Sequence, residues 1–280
     1  MKTSFEGKDY QMLHVTTNSG VATILIDNEP VNALSGALIK ELRLLLGDLS
    51  ANEEIKVIVF DSVNPDFFIA HVDINILEEQ DILEELSKTA PEGLNIFQAV
   101  GEMIREQPQV TIVKLKGIAR GGGAEFVAAA DLSFASLENG KLAQCEALMG
   151  IIPGGGATQY LSERMTRGRA LEIILGADLF DAATAERYGW INRAIPDKDI
   201  DTFVDRLAKH IAQLPDGVIA ATKKVLPPVR SKKDFQLEND VWAELAYRPR
   251  TAEIMKTAMA KGAQTVKGEL KLEELLRSYL

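Results

Sequence analysis

Two runs of glycine, Gly121-Gly122-Gly123 and Gly154-Gly155-Gly156, constrain this chain more than any other feature. The first follows a β-branched segment, Val110 to Lys116, and precedes an alanine-rich stretch, so it reads as a tight strand-to-helix turn. Such a turn lays a helix over a buried strand, which is an α/β arrangement. It also leaves bare amide N–H groups at the start of the helix, where they can hold a developing negative charge. Each run has an acidic residue in its vicinity: Glu125 just after the first, and Glu146 ahead of the second. Two carboxyl groups brought to one spot can move protons beside that charge.

The chain in order supports the α/β reading. Val21 to Ile26 and Ile55 to Phe60 are β-branched strands. Between them, apolar residues at 38, 39, 42, 45, 46 and 49 line one face of a helix, with Ser35 as its N-cap. Residues 66–73 read as a loop leading into an acidic helical stretch from Ile74 to Leu86, and residues 87–93 as a lid. Asp131 to Leu137 and Lys141 to Ala143 are predicted as short strands either side of an Asn139-Gly140 turn. Beyond Pro153 the pattern turns helical, with segments near 157–165, 168–176, 182–188, 199–213 and 216–225 and one strand near Ile191 to Ile195. Residues 234–280 are charged and amphipathic. The division that follows is an α/β core over 1–198 and a helical C-terminal region over 199–280 used for packing and self-association.

Bulk properties exclude several classes. The 280 residues suffice for a full core. A net charge of −10 argues against nucleic acid as a partner. The single cysteine, Cys145, rules out an intrachain disulfide and fits a reducing compartment. Neither a leader-like apolar segment nor a run of membrane-spanning length occurs, so a cytoplasmic location without membrane contact is expected.

Other motifs fail on inspection. A dinucleotide fingerprint would need glycine at 126 or 159, where Phe and Gln stand, and neither run continues into Lys-Ser or Lys-Thr. The three histidines, His14, His71 and His210, lack ligand spacing, so no metal is expected. Each glycine run alone is explained by a tight turn. Glu125 alone is explained by a helix N-terminus, and Glu146 alone by a surface turn. Together they favour a catalytic site.

These residues resemble the crotonase (enoyl-CoA hydratase/isomerase) superfamily. The matching pieces are Asn32-Ala33-Leu34, the loop from Ala70 to Ile74, GIARGGGAE at 117–125, QCEALMGIIPGGGATQYL at 144–161 and GRALEIILGADLFDAATAERYGWINRAIP at 168–196. The resemblance spans roughly residues 20–225. It implies a spiral of β–β–α units with a helical C-terminal region, assembled as a homotrimer or a dimer of trimers. It implies an acyl-CoA thioester substrate and no bound cofactor, coenzyme A arriving as part of the substrate. By position, the amides of Val72 and Gly122 match the oxyanion-hole donors, and Glu125 and Glu146 the two catalytic glutamates. Val31, Ala33, Ala70, Asp73, Ile74 and Gly121 fall where the family lines the coenzyme A site.

The activity so implied is hydration of a 2-enoyl-CoA to a 3-hydroxyacyl-CoA. Glu125 would activate the water and Glu146 would protonate the α-carbon. Three departures bear on this. His71 stands where the family usually has glycine, Asn75 stands where a basic residue is common, and the Ser-x-Glu-Gly pattern near the C-terminus is missing. His71 and Cys145 are therefore candidate modulators. The alternatives are a Δ3,Δ2-enoyl-CoA isomerase, another crotonase-type reaction, or a non-catalytic scaffold.

Overall fold

In the computed structural model, which describes residues 3–228 and 232–279, a small antiparallel hairpin opens the chain: β1 (Thr3–Phe5) with β2 (Lys8–Tyr10). β3 (Leu13–Asn18) pairs antiparallel with β4 (Val21–Ile26). α1 (Gly36–Ala51) follows, its first turn capped by Ser35, whose hydroxyl accepts the Leu38 amide. Its buried stripe of Leu38, Ile39, Leu42, Leu45, Leu46 and Leu49 is the one the periodicity predicts. Next come β5 (Val57–Ser62), β6 (Phe67–Ile69), a 3-10 turn at Ile76–Glu78, α2 (Gln80–Lys88) and α3 (Ile96–Arg105). β7 (Val110–Leu115) and β8 (Ile118–Arg120) lead into α4 (Gly122–Ala129). β9 (Leu132–Ser136), β10 (Lys141–Ala143) and a second 3-10 turn, Glu146–Met149, complete the central part.

The remainder is mostly helical: α5 (Ala157–Arg164), α6 (Arg167–Gly176), β11 (Phe180–Asp181), α7 (Ala182–Tyr188), β12 (Arg193–Ile195) and α8 (Asp197–Ala212). Then follow α9 (Val218–Val225), α10 (Lys232–Ala246), α11 (Pro249–Ala260), α12 (Val266–Glu269) and α13 (Leu272–Arg277). Leu280 lies outside the described residues.

The strands sort into two sheets besides the small hairpin. One has the order β12-β9-β7-β5-β4-β3, the other β11-β10-β8-β6. Successive pairs β5–β6, β7–β8 and β9–β10 each place the first strand in the six-stranded sheet and the second in the four-stranded sheet, parallel to the preceding turn. This is an α/β spiral of strand–strand–helix units, the fold class expected.

Short strands flank the Asn139-Gly140 turn as expected, but they do not pair with each other. β9 pairs with β7 and β10 with β8, so the turn carries the chain from one sheet to the other. Gly140 packs too tightly for a side chain, because a Cβ there would lie 2.8 Å from both Ala135 Cβ and the Ser136 carbonyl. Residues 66–73 likewise hold a strand, β6, rather than loop alone. β6 and β8, three residues each, are too short to carry a periodic signal, and α3 is a helix beyond those expected.

The main core lies between the sheets and α1, α3 and α4. α8 covers the other face of the six-stranded sheet through Ile200, Val204, Ala208 and Ala212. The C-terminal helices fold back on the chain: Ile254, Ala258, Leu272 and Leu276 pack with Cys145 and Leu148. Among the described residues no helix is long and apolar enough to cross a membrane.

Candidate active site

The glycines ahead of α4 set one wall of the site. Gly121 takes a positive φ of 47° as the N-cap and donates its amide to the Ala143 carbonyl at 3.0 Å. Gly122 is therefore the first helical residue, with an amide that has no intrahelical acceptor. Facing it is Val72, just beyond β6. The His71 carbonyl accepts the Leu34 amide at 2.8 Å and the Asp73 amide donates to the Leu34 carbonyl at 3.1 Å. Those two bonds pin the loop edge-on to Leu34, so the intervening Val72 N–H points the other way, toward α4. A Cβ on Gly122 would sit 2.5 Å from Val72 Cγ2 and 3.8 Å from Val72 N, so only glycine permits this approach.

The two glutamates enter from opposite ends. Glu125, in the first turn of α4, is 5% exposed, and its Oε1 accepts the amides of Gly155 at 2.7 Å and Ala157 at 3.1 Å. Glu146, on the second 3-10 turn, is 6% exposed. With its amide oriented to satisfy both of its atoms, Gln144 donates to Glu146 Oε1 at 3.1 Å and Oε2 at 3.0 Å. The glycine runs are exchanged between the acids. A Cβ on Gly121 would lie 2.8 Å from Glu146 Oε1, and a Cβ on Gly155 would collide with Glu125 Oε2. The first run makes room for the second acid, and the second run for the first.

Both acids line one cavity of about 850 Å³, open mouth included, together with His71, Val72, Gly121 and Gly122. Its other walls are apolar: Phe97, Met149 and Ile151 from the core, and Trp242, Met255, Leu272 and Leu276 from the C-terminal helices. Burial in this setting pushes both carboxyls up. Glu125 rises well above the ordinary carboxylate range, through burial first and then the charges of Glu146 and Glu238, against the amides of Ala157 and Gly155. Glu146 is pushed up to about 7 by burial, against a hydrogen bond from its own amide and the attraction of His71.

Sequence reasoning missed a third acid. Glu238 of α10 accepts the Gly156 amide at 2.7 Å and Gln98 Nε2 at 3.1 Å through Oε1, and the Thr158 amide at 3.1 Å and hydroxyl through Oε2. The four amides at the start of α5, residues 155–158, are therefore shared alternately between Glu125 and Glu238. Glu238 reads as surface charge in the sequence, yet Phe235, Glu238, Trp242 and Ala246 follow helical spacing on one face, a signal that was available.

The remaining expected residues divide. Asp73, Ile74 and Cys145 line the cavity. Asp73 Oδ1 accepts from the Asn75 amide and Gln264 Nε2, and the Ile74 amide donates to Gln264 Oε1 at 2.8 Å. Val31, Ala33 and Ala70 instead pack in a small core with Phe67 and Ile118, and the Ala70 amide donates to the Val31 carbonyl. Cys145 is buried, and burial with the nearby Glu146 pushes its thiol well up, which keeps it neutral. His71 does not point free into the site: Nδ1 lies 2.6 Å from the Val72 carbonyl and Nε2 2.9 Å from Glu269 Oε1.

A parallel-sheet spiral with two buried acids beside paired glycine turns defines a recognisable class, and the sequence comparisons agree. The family model described as enoyl-CoA hydratase/isomerase matches residues 16–264, and the chain belongs to that family. A short-chain-enoyl-CoA hydratase from Clostridium acetobutylicum is 26% identical over 214 residues, 76% of this chain and 80% of that protein. The fatty acid oxidation complex subunit alpha of Aliivibrio fischeri is 30% identical over 192 residues, which are 68% of this chain but only 27% of that protein; this chain thus spans about a quarter of its length. Among solved structures, a Streptomyces avermitilis protein provisionally described as an enoyl-CoA hydratase superposes with a TM-score of 0.95 at 55% identity, covering 96% of this chain and 98% of that one.

Proposed function

We propose that this chain adds water across the double bond of a 2-enoyl-CoA thioester, giving a 3-hydroxyacyl-CoA. The observation that carries the reading is the convergence of two buried carboxyls, Glu125 and Glu146, on the cavity flanked by the Val72 and Gly122 segments. Water attacks the β-carbon, the π electrons move onto the thioester oxygen, and the α-carbon is then protonated. The charge on the thioester oxygen is the part of the reaction that two main-chain amides can stabilise, each by roughly 3 kcal/mol.

The carboxyls supply the proton traffic. Because both are raised and close enough to interact, they titrate as a pair, and the form that works is the one holding one proton between them. Hydration needs Glu125 ionised, to take the proton of water, and Glu146 protonated, to deliver to carbon. Dehydration starts from the converse form, with the proton on Glu125 and Glu146 ionised. One turnover converts one form into the other, so a pair carrying one proton serves both directions. The apolar walls suit an uncharged acyl tail and exclude solvent from the enolate.

Coenzyme A enters as part of the substrate, past the loop of Asp73 and Ile74. Self-association remains part of this reading. No residue of α9 is fully buried, and its last residue Val225 and the following Leu226 are about three-quarters exposed, which fits a surface covered by another copy. The test is a set of acyl-CoA substrates. Crotonyl-CoA should lose its enoyl absorbance and give a product heavier by one water. Conversion of a 3-enoyl-CoA to its 2-enoyl isomer, with no water adduct from crotonyl-CoA, would replace hydration by isomerisation, which can run on a single carboxyl.

A further inference from the structure

Glu269 is a completely buried carboxylate that the proposed chemistry does not use. It sits at the end of α12, far along the chain from the glycine turns, and it reaches both segments that carry the amides. Its Oε1 accepts from His71 Nε2 at 2.9 Å and from the Gln264 amide at 2.7 Å. Its Oε2 lies 3.5 Å from Arg120 Nη1, a charge pairing without a hydrogen bond on either atom, and its main-chain carbonyl accepts from Arg120 Nη2 at 2.8 Å. Arg120 is also completely buried, and Glu273 of α13 completes its pairing through Nε at 2.6 Å and Nη2 at 3.1 Å.

The positions of the two cations matter. His71 immediately precedes Val72, and Arg120 lies two residues before Gly122. Both partners of the His71 ring can only accept, the Val72 carbonyl at Nδ1 and the Glu269 carboxylate at Nε2, so the ring carries a proton on each nitrogen and is an imidazolium. Buried cations of this kind require paired charge, and breaking a pair leaves the remaining partner uncompensated. Gln264 adds a second hold on the same loop through Asp73 and the Ile74 amide.

We infer that Glu269 is a positioning residue: by gripping His71 and Arg120 at once it fixes the spacing of the Val72 and Gly122 amides, so that the C-terminal arm completes the oxyanion site. The inference rests on the reading of those amides as the thioester-oxygen donors. It gives the histidine that replaces the family's usual glycine a task outside the chemistry itself: it couples loop to arm. A site whose donors move by a fraction of an ångström still binds the ground-state thioester but holds the enolate less well, by about 10- to 100-fold.

The test compares two probes on the full chain. Acetoacetyl-CoA reports enolate formation by its ultraviolet absorbance, and butyryl-CoA reports ground-state binding alone. Wild type should stabilise the acetoacetyl-CoA enolate. Glu269→Gln should weaken that enolate signal by about 10- to 100-fold while butyryl-CoA affinity is retained. If Glu269→Gln does not fold, His71→Gly carries the test, because it removes one cation and leaves Glu269 paired with Arg120; it should weaken the enolate in the same way. Where both fold, the double variant should be no worse than the weaker single. An undiminished enolate signal in the folded variants overturns the clamp and leaves the oxyanion reading standing. Wild type that binds butyryl-CoA yet yields no enolate overturns both.

Discussion

Replacing Glu146 by Gln should change how stability depends on pH. In the fold the Glu146 carboxyl is raised from 4.5 to about 7. A carboxyl raised in this way binds its proton more tightly folded than unfolded. Its contribution is present in full below about pH 4.5 and is lost as pH rises through about 7. A shift of roughly 2.5 units corresponds to about 3 kcal/mol of wild-type stability lost over that window, at about 1.4 kcal/mol per unit. Glu146→Gln keeps the shape and removes the titration. It also relieves Glu125 of a neighbouring charge, so the variant's profile should be flatter still. Urea unfolding of both proteins at a series of pH values from about 5 to 8 measures the difference directly. Glu146→Gln should gain on wild type by a few kcal/mol across the series. Parallel profiles would refute the reasoning, since they would place Glu146 in contact with solvent or beside an unseen cation.

Other outcomes follow from the same geometry. Hydration should fall on the acid side as the pair takes up its second proton, because no carboxylate is then left to accept the proton of water; a flat acid limb in kcat against pH would contradict this. Glu238→Gln removes a charge that holds Glu125 up, so the alkaline limb should move to lower pH, as read from the same profile. Gly155→Ala should cut kcat by about 100-fold and also lower stability by about 1–3 kcal/mol, because its Cβ displaces the Glu125 carboxyl from the amides of Gly155 and Ala157. Gly122→Ala should act similarly by driving Val72 Cγ2 away, measured as kcat on crotonyl-CoA.

Local signals carried much of the fold. The β-branched runs of β4, β5 and β7, the leucine stripe of α1 with its Ser35 cap and the helices from α5 to α9 are all visible in the sequence because periodicity and capping are local properties. Pairing is not local. The Asn139-Gly140 turn has the composition of a hairpin, yet β9 and β10 lie in different sheets, paired with β7 and β8. The site divided in the same way. Glu125 and Glu146 stand out because acids amid apolar residues and glycines are unusual. Glu238 and Glu269 sit in a charged C-terminal region where an acid attracts no notice. Their burial arises only when α10 and α12 fold back over the cavity, bringing Glu238 to the α5 amides and Glu269 to His71.

The joint action of two acids above the thioester is tested most directly by hydration of crotonyl-CoA in Glu125→Gln and Glu146→Gln, with butyryl-CoA binding followed in parallel. Each variant should lose about 100- to 10,000-fold in kcat while butyryl-CoA still binds. Turnover at the wild-type rate in either variant would remove that carboxyl from the chemistry and contradict the two-acid mechanism.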